Sequence, residues 1–142
     1  MSIPPFTKEW CTNMAKLEGD SEIGVGSLRY RYNKIDPEFK AKWLEALRSG
    51  KYTQARHKLV EIEGSYFNNT AKIIGHCCVA VGGKVAEVRL DDIARHLDGK
   101  QATDLVAEGI GLDRIVRDEL VRLNDSQLAN FREIAEWIEV NL

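Results

Sequence analysis

The spacing of apolar residues predicts helices along most of the chain. Residues 36–50, DPEFKAKWLEALRSG, carry the clearest signals, with Asp36 as N-cap, Pro37 at the first helical position and Gly50 at the end. Apolar residues three and four positions apart also predict a helix in residues 7–20, where Gly19 would end it. From Asp91 onward the same period predicts helices in 91–99, 102–111, 112–125 and 125–142, the last capped by Asp125 or Ser126.

Alternating apolar and polar positions predict strands between these helices. Residues 28–33, LRYRYN, place Leu28 and two tyrosines on one face and two arginines on the other. A second strand is predicted within residues 56–64, RHKLVEIEG. Residues 71–81 and 84–90 predict a hairpin, because Gly82-Gly83 supplies the positive φ angles that a two-residue primed turn requires.

Length and composition favour a single soluble domain. The chain has 142 residues, of which 44% are apolar and 30% charged, and one core of this size is common. We therefore predict one α+β domain spanning 1–142, mostly helical, with a small antiparallel sheet whose hairpin lies near residues 72–90. No apolar run approaches the ~18 residues of a membrane span, and the start lacks the pattern of a signal peptide. We expect no membrane association, a cytoplasmic protein and reduced cysteines.

Charge is unevenly spread along the chain. Residues 29–58 contain nine Lys/Arg against three Asp/Glu, whereas residues 85–142 contain seven against thirteen. This pattern suits either a charged partner or two halves of the protein that face each other. The basic side chains predicted to bind a partner are Arg29, Arg31, Lys34, Lys40, Lys42 and Arg48.

The segment IIGHCCVAVGG, residues 73–83, sets a histidine beside two cysteines in an apolar run. Adjacent cysteines on a strand point to opposite faces, so they do not converge on one zinc ion. We predict a buried strand that carries the thiols as small apolar groups, with no metal and no cofactor. His76 and Cys78 share a predicted strand face and are the candidates for a catalytic pair. No catalytic set is complete, which leans against an enzyme.

Two blocks, residues 42–59 (KWLEALRSGKYTQARHKL) and 123–142 (LNDSQLANFREIAEWIEVNL), with a double cysteine between them, resemble small uncharacterised proteins encoded by bacteriophages and prophages. Those proteins share W-x-x-ALRSG-x-Y-x-Q, a double-cysteine segment and LND-x…F-x-EIA-x-x-IE. This chain lacks their third cysteine, and residues 61–76 lengthen the approach to the pair. The family-like region is 36–142, with residues 1–35 outside it. The resemblance leaves residues 71–81 open between strand and helix.

The resemblance implies an accessory protein that binds a bacterial host protein in the cytoplasm, with antagonism of host defence or regulation as a role that suits its origin. One alternative is a small-ligand-binding protein or enzyme with a site near the His-Cys-Cys segment. A second alternative is nucleic-acid binding through the basic region 29–58. Its weakness is that strand alternation places Tyr30 and Tyr32 opposite the arginines, whereas base stacking needs rings and charges on one surface.

Overall fold

The computed structural model describes residues 32–142, which contain six α-helices and one two-stranded antiparallel sheet. The mostly helical α+β fold predicted from the sequence is confirmed. The helix predicted in residues 7–20 and most of the strand predicted in 28–33 lie outside the described residues. The elements are α1 (Pro37–Arg48), β1 (Val60–Glu63), β2 (Lys72–His76), α2 (Cys78–Val85), α3 (Leu90–His96), α4 (Gly99–Gly109), α5 (Arg114–Val121), a π-helical turn (Arg122–Ser126) and α6 (Phe131–Asn141).

Helix α2 is the centre of the core and packs against α1, α4 and α5. Residues 78–83 are all buried. The indole Nε1 of Trp43 in α1 donates to the carbonyl oxygen of Cys78 at 3.1 Å. A Cβ added at Gly82 would lie 2.8 Å from Ile110 Cδ1, and one added at Gly83 would lie 2.8 Å from Val106 Cγ1. The two glycines therefore allow close helix packing.

The hairpin predicted near residues 72–90 is consequently wrong, because only Lys72–His76 is extended there and the chain continues as a helix. The observed hairpin joins β1 to β2, and its register runs from Val60 opposite His76 to Glu63 opposite Lys72 with one irregularity. The strand predicted within residues 56–64 is confirmed as β1. The connecting loop, residues 64–71, contains positive φ angles at Gly64 and Asn69, residues that suit that conformation.

Helix α6 closes the fold against α1 and begins later than predicted. Asn130 caps it, and its side chain and that of Glu133 bond each other's backbone N–H groups in a capping box. The predicted caps Asp125 and Ser126 are instead in the π-helical turn, and Leu128 has a φ of 56° outside any helix. The start of α1 agrees with prediction, since Asp36 Oδ2 accepts from the backbone N–H of Phe39.

Candidate functional site

A cleft of about 530 Å³, lined by both polar and apolar side chains, opens between α2, α4, α5 and the π-helical turn. Residues 77–79, at the start of α2, are buried and line it, and His57 and Lys58 border it from the loop before β1. The first turns of α4 and the inner side of α5 complete its walls. Its volume lies in the range of roughly 300–1,000 Å³ typical of small-molecule pockets. We call this space the α2 cleft.

Asn124 in the π-helical turn fixes one wall of the α2 cleft. It is 1% exposed. Its Oδ1 accepts from Gln54 Nε2 at 2.8 Å and from the backbone N–H of Cys78 at 3.3 Å. Its Nδ2 donates to the carbonyl oxygen of Ala55 at 2.9 Å and to Asp125 Oδ1 at 2.7 Å. One satisfied amide thus ties the loop before β1 to the start of α2, at a π-helical turn of the kind that often marks functional sites.

Asp125 places a carboxylate beside the two cysteines. Its Oδ1 accepts from the backbone N–H of His57 at 2.8 Å as well as from Asn124. Within residues 32–142, its Oδ2 accepts no hydrogen bond and no Lys or Arg forms an ion pair with it. His57 has a φ of 66°, a conformation that is uncommon for residues other than glycine and is enriched at functional sites.

Arginines neutralise the other acidic groups around the α2 cleft. The Arg117 side chain is 15% exposed, with Nε 3.2 Å from Asp104 and Nη2 3.0 Å from Asp118. Arg122 pairs with Glu119 one turn earlier on α5. The α5 side of the cleft is therefore a network of fixed charges with known partners.

Both cysteines of the adjacent pair, Cys77 and Cys78, are buried thiols of the core. Cys77 Sγ accepts from the backbone N–H of Ala80 at 3.4 Å as the N-cap of α2, and Cys78 Sγ donates to the carbonyl oxygen of Leu120 at 3.7 Å. Burial raises the pKa of Cys77 to about 11. Burial, followed by the neighbouring Cys77, raises the pKa of Cys78 well above its usual value. Thiols rather than reactive thiolates are present at neutral pH, and the predicted core packing of the pair is confirmed.

His76 faces a different cavity from Cys78. It lines a groove of about 750 Å³ between the hairpin and the start of α3, and its ring meets the Tyr52 ring edge-on at a centroid distance of 5.1 Å. Burial lowers the pKa of His76, and Lys84 lowers it further, so the imidazole is neutral at pH 7. The structure does not bring the two candidate catalytic residues into one site.

Three of the basic residues predicted to bind a partner contact α6. Lys34 and Lys40 donate to backbone carbonyl oxygens near its C-terminus, at 3.3 and 3.0 Å. Arg48 pairs with Glu136 at 3.0 Å and with Glu139 at 3.2 Å. The basic middle and the acidic end of the chain thus face each other across the α1–α6 interface.

The remaining members of that basic set are different. Lys42 forms an exposed pair with Glu38 one turn earlier on α1, at 3.3 Å. Arg29 and Arg31 lie outside the described residues. The six residues therefore do not form one surface in the part of the chain that the structure describes.

The tip of the β1–β2 hairpin presents an aromatic side chain to solvent. Phe67 is 96% exposed. The loop beneath it is closed by reciprocal bonds, from the Ser65 N–H to Thr70 Oγ1 and from the Thr70 N–H to the Ser65 carbonyl oxygen, both at 3.0 Å. The N–H of Phe67 donates to Ser65 Oγ at 3.1 Å, and that of Asn69 to the Tyr66 carbonyl oxygen at 3.2 Å. Phe67 therefore projects from an ordered turn.

Tyr66 anchors this turn on the body of the protein. The guanidinium of Arg95 in α3 lies 5.3 Å from the centre of its ring, a cation–π distance. Its hydroxyl is buried, and burial raises the pKa of Tyr66, with Asp91 adding to the effect. One aromatic residue of the loop is thus fixed against α3 while its neighbour Phe67 is free of the core.

Sequence reasoning missed Phe67, Asn124, Asp125 and Arg117. A signal existed for the first, because GSYFNN, residues 64–69, is a cluster of turn-forming residues between two apolar segments. Asn124 and Asp125 belong to the LND block that carries the phage resemblance. Nothing in the local sequence indicates that Arg117 meets Asp104, since their contact depends on how α4 and α5 pack.

Within residues 32–142, no group of His, Cys, Asp and Glu side chains is arranged to hold a metal ion. In the same residues no helix combines the length and apolar character that spanning a bilayer requires. Comparison with known proteins found no matching protein family, no similar curated protein and no similar solved structure, so the resemblance to phage proteins stays a prediction.

Proposed function

We propose that this protein is a phage- or prophage-type accessory protein that binds a host protein in the bacterial cytoplasm through the tip of its β1–β2 hairpin. Antagonism of host defence or regulation is the role that suits this origin. The observation that carries the proposal is the exposure of Phe67 on an ordered turn.

An exposed phenylalanine on an ordered turn is less favourable in an isolated protein than in an interface. Large aromatic side chains bury much apolar area on binding, and a turn that is already ordered loses little conformational entropy when a partner docks. Ile62 and Ile74 on the two strands of the same hairpin are also exposed. The apolar character of the arm therefore extends from its tip toward its base, as expected for a protein-binding surface.

The contacts of the basic residues favour a protein partner over a nucleic acid. Lys34, Lys40 and Arg48 are engaged with α6, and a phosphate backbone would have to compete with those bonds. Nucleic-acid binding through region 29–58 predicts an affinity that falls steeply with salt concentration. Binding through Phe67 predicts a weak salt dependence, so a salt titration of the captured complex separates the two functions.

The direct test compares capture of bacterial host proteins by the unchanged chain, by Phe67→Ser and by Leu105→Ser. Leu105 is a matched control, because it is an exposed apolar residue on α4, far from the hairpin in the sequence. We expect Phe67→Ser to lose the captured protein, while Leu105→Ser retains it. Phe67→Ser should keep the melting temperature, since its side chain makes no core contact.

A photocrosslinking residue at position 67 gives a second readout. We expect it to form one specific adduct that the same residue at position 105 does not form. Capture that survives Phe67→Ser, together with adducts that are the same from both positions, would show that the hairpin tip is not the binding surface.

A further inference from the structure

We propose that the α2 cleft is a binding site for a small zwitterion of amino-acid size, whose ammonium group pairs with Asp125 and whose carboxylate pairs with Lys100. The site is separate from the hairpin tip and does not depend on the proposed function.

Most of the charged residues that line the cleft already pair with another residue of the protein, and those without a partner indicate the charges of the ligand. Arg117 and Arg122 are held by carboxylates of α4 and α5, and Lys58 pairs with Glu61 at 2.7 Å. Among the charged residues that line the cleft, two have no ion pair within residues 32–142, the cation Lys100 and the anion Asp125. Lys100 is exposed and Asp125 is partly buried, and they do not pair with each other, so the cleft offers one positive and one negative group to a ligand.

The Asp125 end suits an ammonium group. Two N–H donors, from His57 and Asn124, fix its Oδ1 and leave Oδ2 without a donor in the described part of the chain. A carboxylate oriented through one oxygen can accept a charge-assisted bond at the other with little loss of side-chain freedom.

The Lys100 end suits a carboxylate. Lys100 lies in the first turn of α4, an 11-residue helix whose N-cap residue Asp98 makes no side-chain capping bond. The partial positive charge of a helix N-terminus adds to that of the ammonium group and favours an anion there. The helix end alone would not indicate a ligand, but here it lies in the same cavity as an uncompensated carboxylate.

Part of the lining of the cleft is apolar. Cys77, Val79 and Val121 all line it, and the thiol of Cys77 is not ionised at neutral pH. A volume of about 530 Å³ accommodates an amino acid with a medium-sized side chain but not a folded partner. The apolar part of the lining therefore favours ligands that have an apolar side chain in addition to the two charges.

The test is an amide-shift NMR titration of the full chain with each proteinogenic amino acid, and with butylamine and butyrate as probes that carry a single charge. We expect saturable shifts in residues 57–58, 77–79, 99–104 and 121–126 with at least one amino acid. Butylamine and butyrate should each bind at least about tenfold more weakly, because each uses one end of the cleft.

Two variants test whether Asp125 binds the ammonium group and Lys100 the carboxylate of the ligand. Asp125→Asn keeps the acceptor for His57, and we expect it to weaken the amino acid and butylamine about tenfold while butyrate is unchanged. Lys100→Gln should weaken the amino acid and butyrate and leave butylamine unchanged. Glu45→Gln and Lys51→Gln, which remove exposed charges outside the cleft, are the matched controls and should bind as the unchanged chain does.

Several results would overturn the proposal. One is the absence of saturable shifts in the cleft with every amino acid. Another is equal affinity for the amino acid and for one single-charge probe, since that would mean one end contributes nothing. Binding that is unaffected by both Asp125→Asn and Lys100→Gln would place the ligand elsewhere.

Discussion

Cys77 is at once a helix cap and a buried acid, and replacing its sulfur with oxygen separates the two roles. Burial raises the pKa of Cys77 from 9.0 to about 11. The folded protein therefore favours the protonated thiol, and this contribution to stability is complete below pH 9 and is lost as the pH rises toward 11. The difference corresponds to about 2–3 kcal/mol.

Cys77→Ser keeps a side chain that can accept from the backbone N–H of Ala80 but does not ionise. We expect the free energy of unfolding of the unchanged chain to fall relative to that of Cys77→Ser by about 2–3 kcal/mol between pH 8 and pH 11. Urea denaturation of both proteins across this range measures it. Parallel pH profiles would mean that the thiol is not desolvated in the folded state.

Asn124 is the buried polar residue whose hydrogen bonds link the segments around the α2 cleft. Its removal by Asn124→Ala leaves Gln54 Nε2 with one fewer acceptor, and it deprives the Cys78 N–H and the Ala55 carbonyl oxygen of their partner. Since each buried group without a partner costs about 1–3 kcal/mol, we expect a loss of about 3 kcal/mol or more in the free energy of unfolding. Chemical denaturation measures the loss.

Asn68→Ala is the control for that experiment, because Asn68 is exposed in the hairpin loop and lies outside the core. It should change the free energy of unfolding by less than about 0.5 kcal/mol. If the two substitutions cost the same, the hydrogen bonds of Asn124 do not stabilise the cleft.

Helix α2 is the element in which local preference and tertiary packing disagree most. Gly82-Gly83 is typical of a turn, and a glycine inside a helix is about 1 kcal/mol less favourable than alanine. The pair is tolerated because Trp43, Ile110 and Val106 approach where a Cβ would stand. These three residues lie in α1, in α4 and directly after α4, outside residues 71–90. The pattern of residues 71–90 alone therefore predicts a hairpin that the fold does not contain.

We expect Gly82→Ala to destabilise the protein by about 1–3 kcal/mol in spite of the higher helix propensity of alanine, because it overpacks the core. Gly109→Ala provides the matched comparison, since Gly109 is also helical but has nothing within 4 Å of an added Cβ. It should be neutral or stabilising by up to about 1 kcal/mol. Thermal denaturation of both variants checks the prediction, and an equal gain from both would mean that α2 is not tightly packed.

Other elements follow from local signals. The Asp36 cap and Pro37 correctly mark the start of α1, because capping chemistry is contained in consecutive residues. The predicted start of α6, at Asp125 or Ser126, is wrong by several residues. Residues 125–130 continue the apolar period of the helix, but Leu128 adopts a positive φ and Asn130 provides the capping box. The apolar period therefore predicts that α6 exists. It does not predict where α6 begins, because Asp125, Ser126 and Asn130 are all residues that can cap a helix.

At the scale of the whole molecule, the contact of α1 with α6 accounts for part of the uneven charge along the chain. The sequence showed the asymmetry but left open whether it serves a partner or an internal interface. Arg48 contributes to that interface, with Glu136 and Glu139 at 3.0 and 3.2 Å. The candidate site could not be predicted from the sequence, because Asp125 and Lys100 line one cleft only when four elements pack together.

A charge reversal tests whether Arg48 is a structural residue. Arg48→Glu would place a third carboxylate beside Glu136 and Glu139, and we expect it to lower the free energy of unfolding by about 1–2 kcal/mol, with a smaller effect at high salt. Adding Glu136→Arg should recover about half of that loss or more, because it restores an opposite charge. Urea denaturation at low and high salt measures both, and Lys51→Glu is the control for an exposed charge outside the interface.

The same variants decide between the two explanations of the charge asymmetry. If the basic side of α1 serves only the fold, the reversed pair will capture the same host protein as the unchanged chain, because the α1–α6 contact is intact in both. If Arg48 also contacts a partner, the reversed pair will be stable but will not bind. A stable reversed pair that binds normally, combined with loss of binding in Phe67→Ser, would assign the charges to folding and the hairpin tip to recognition.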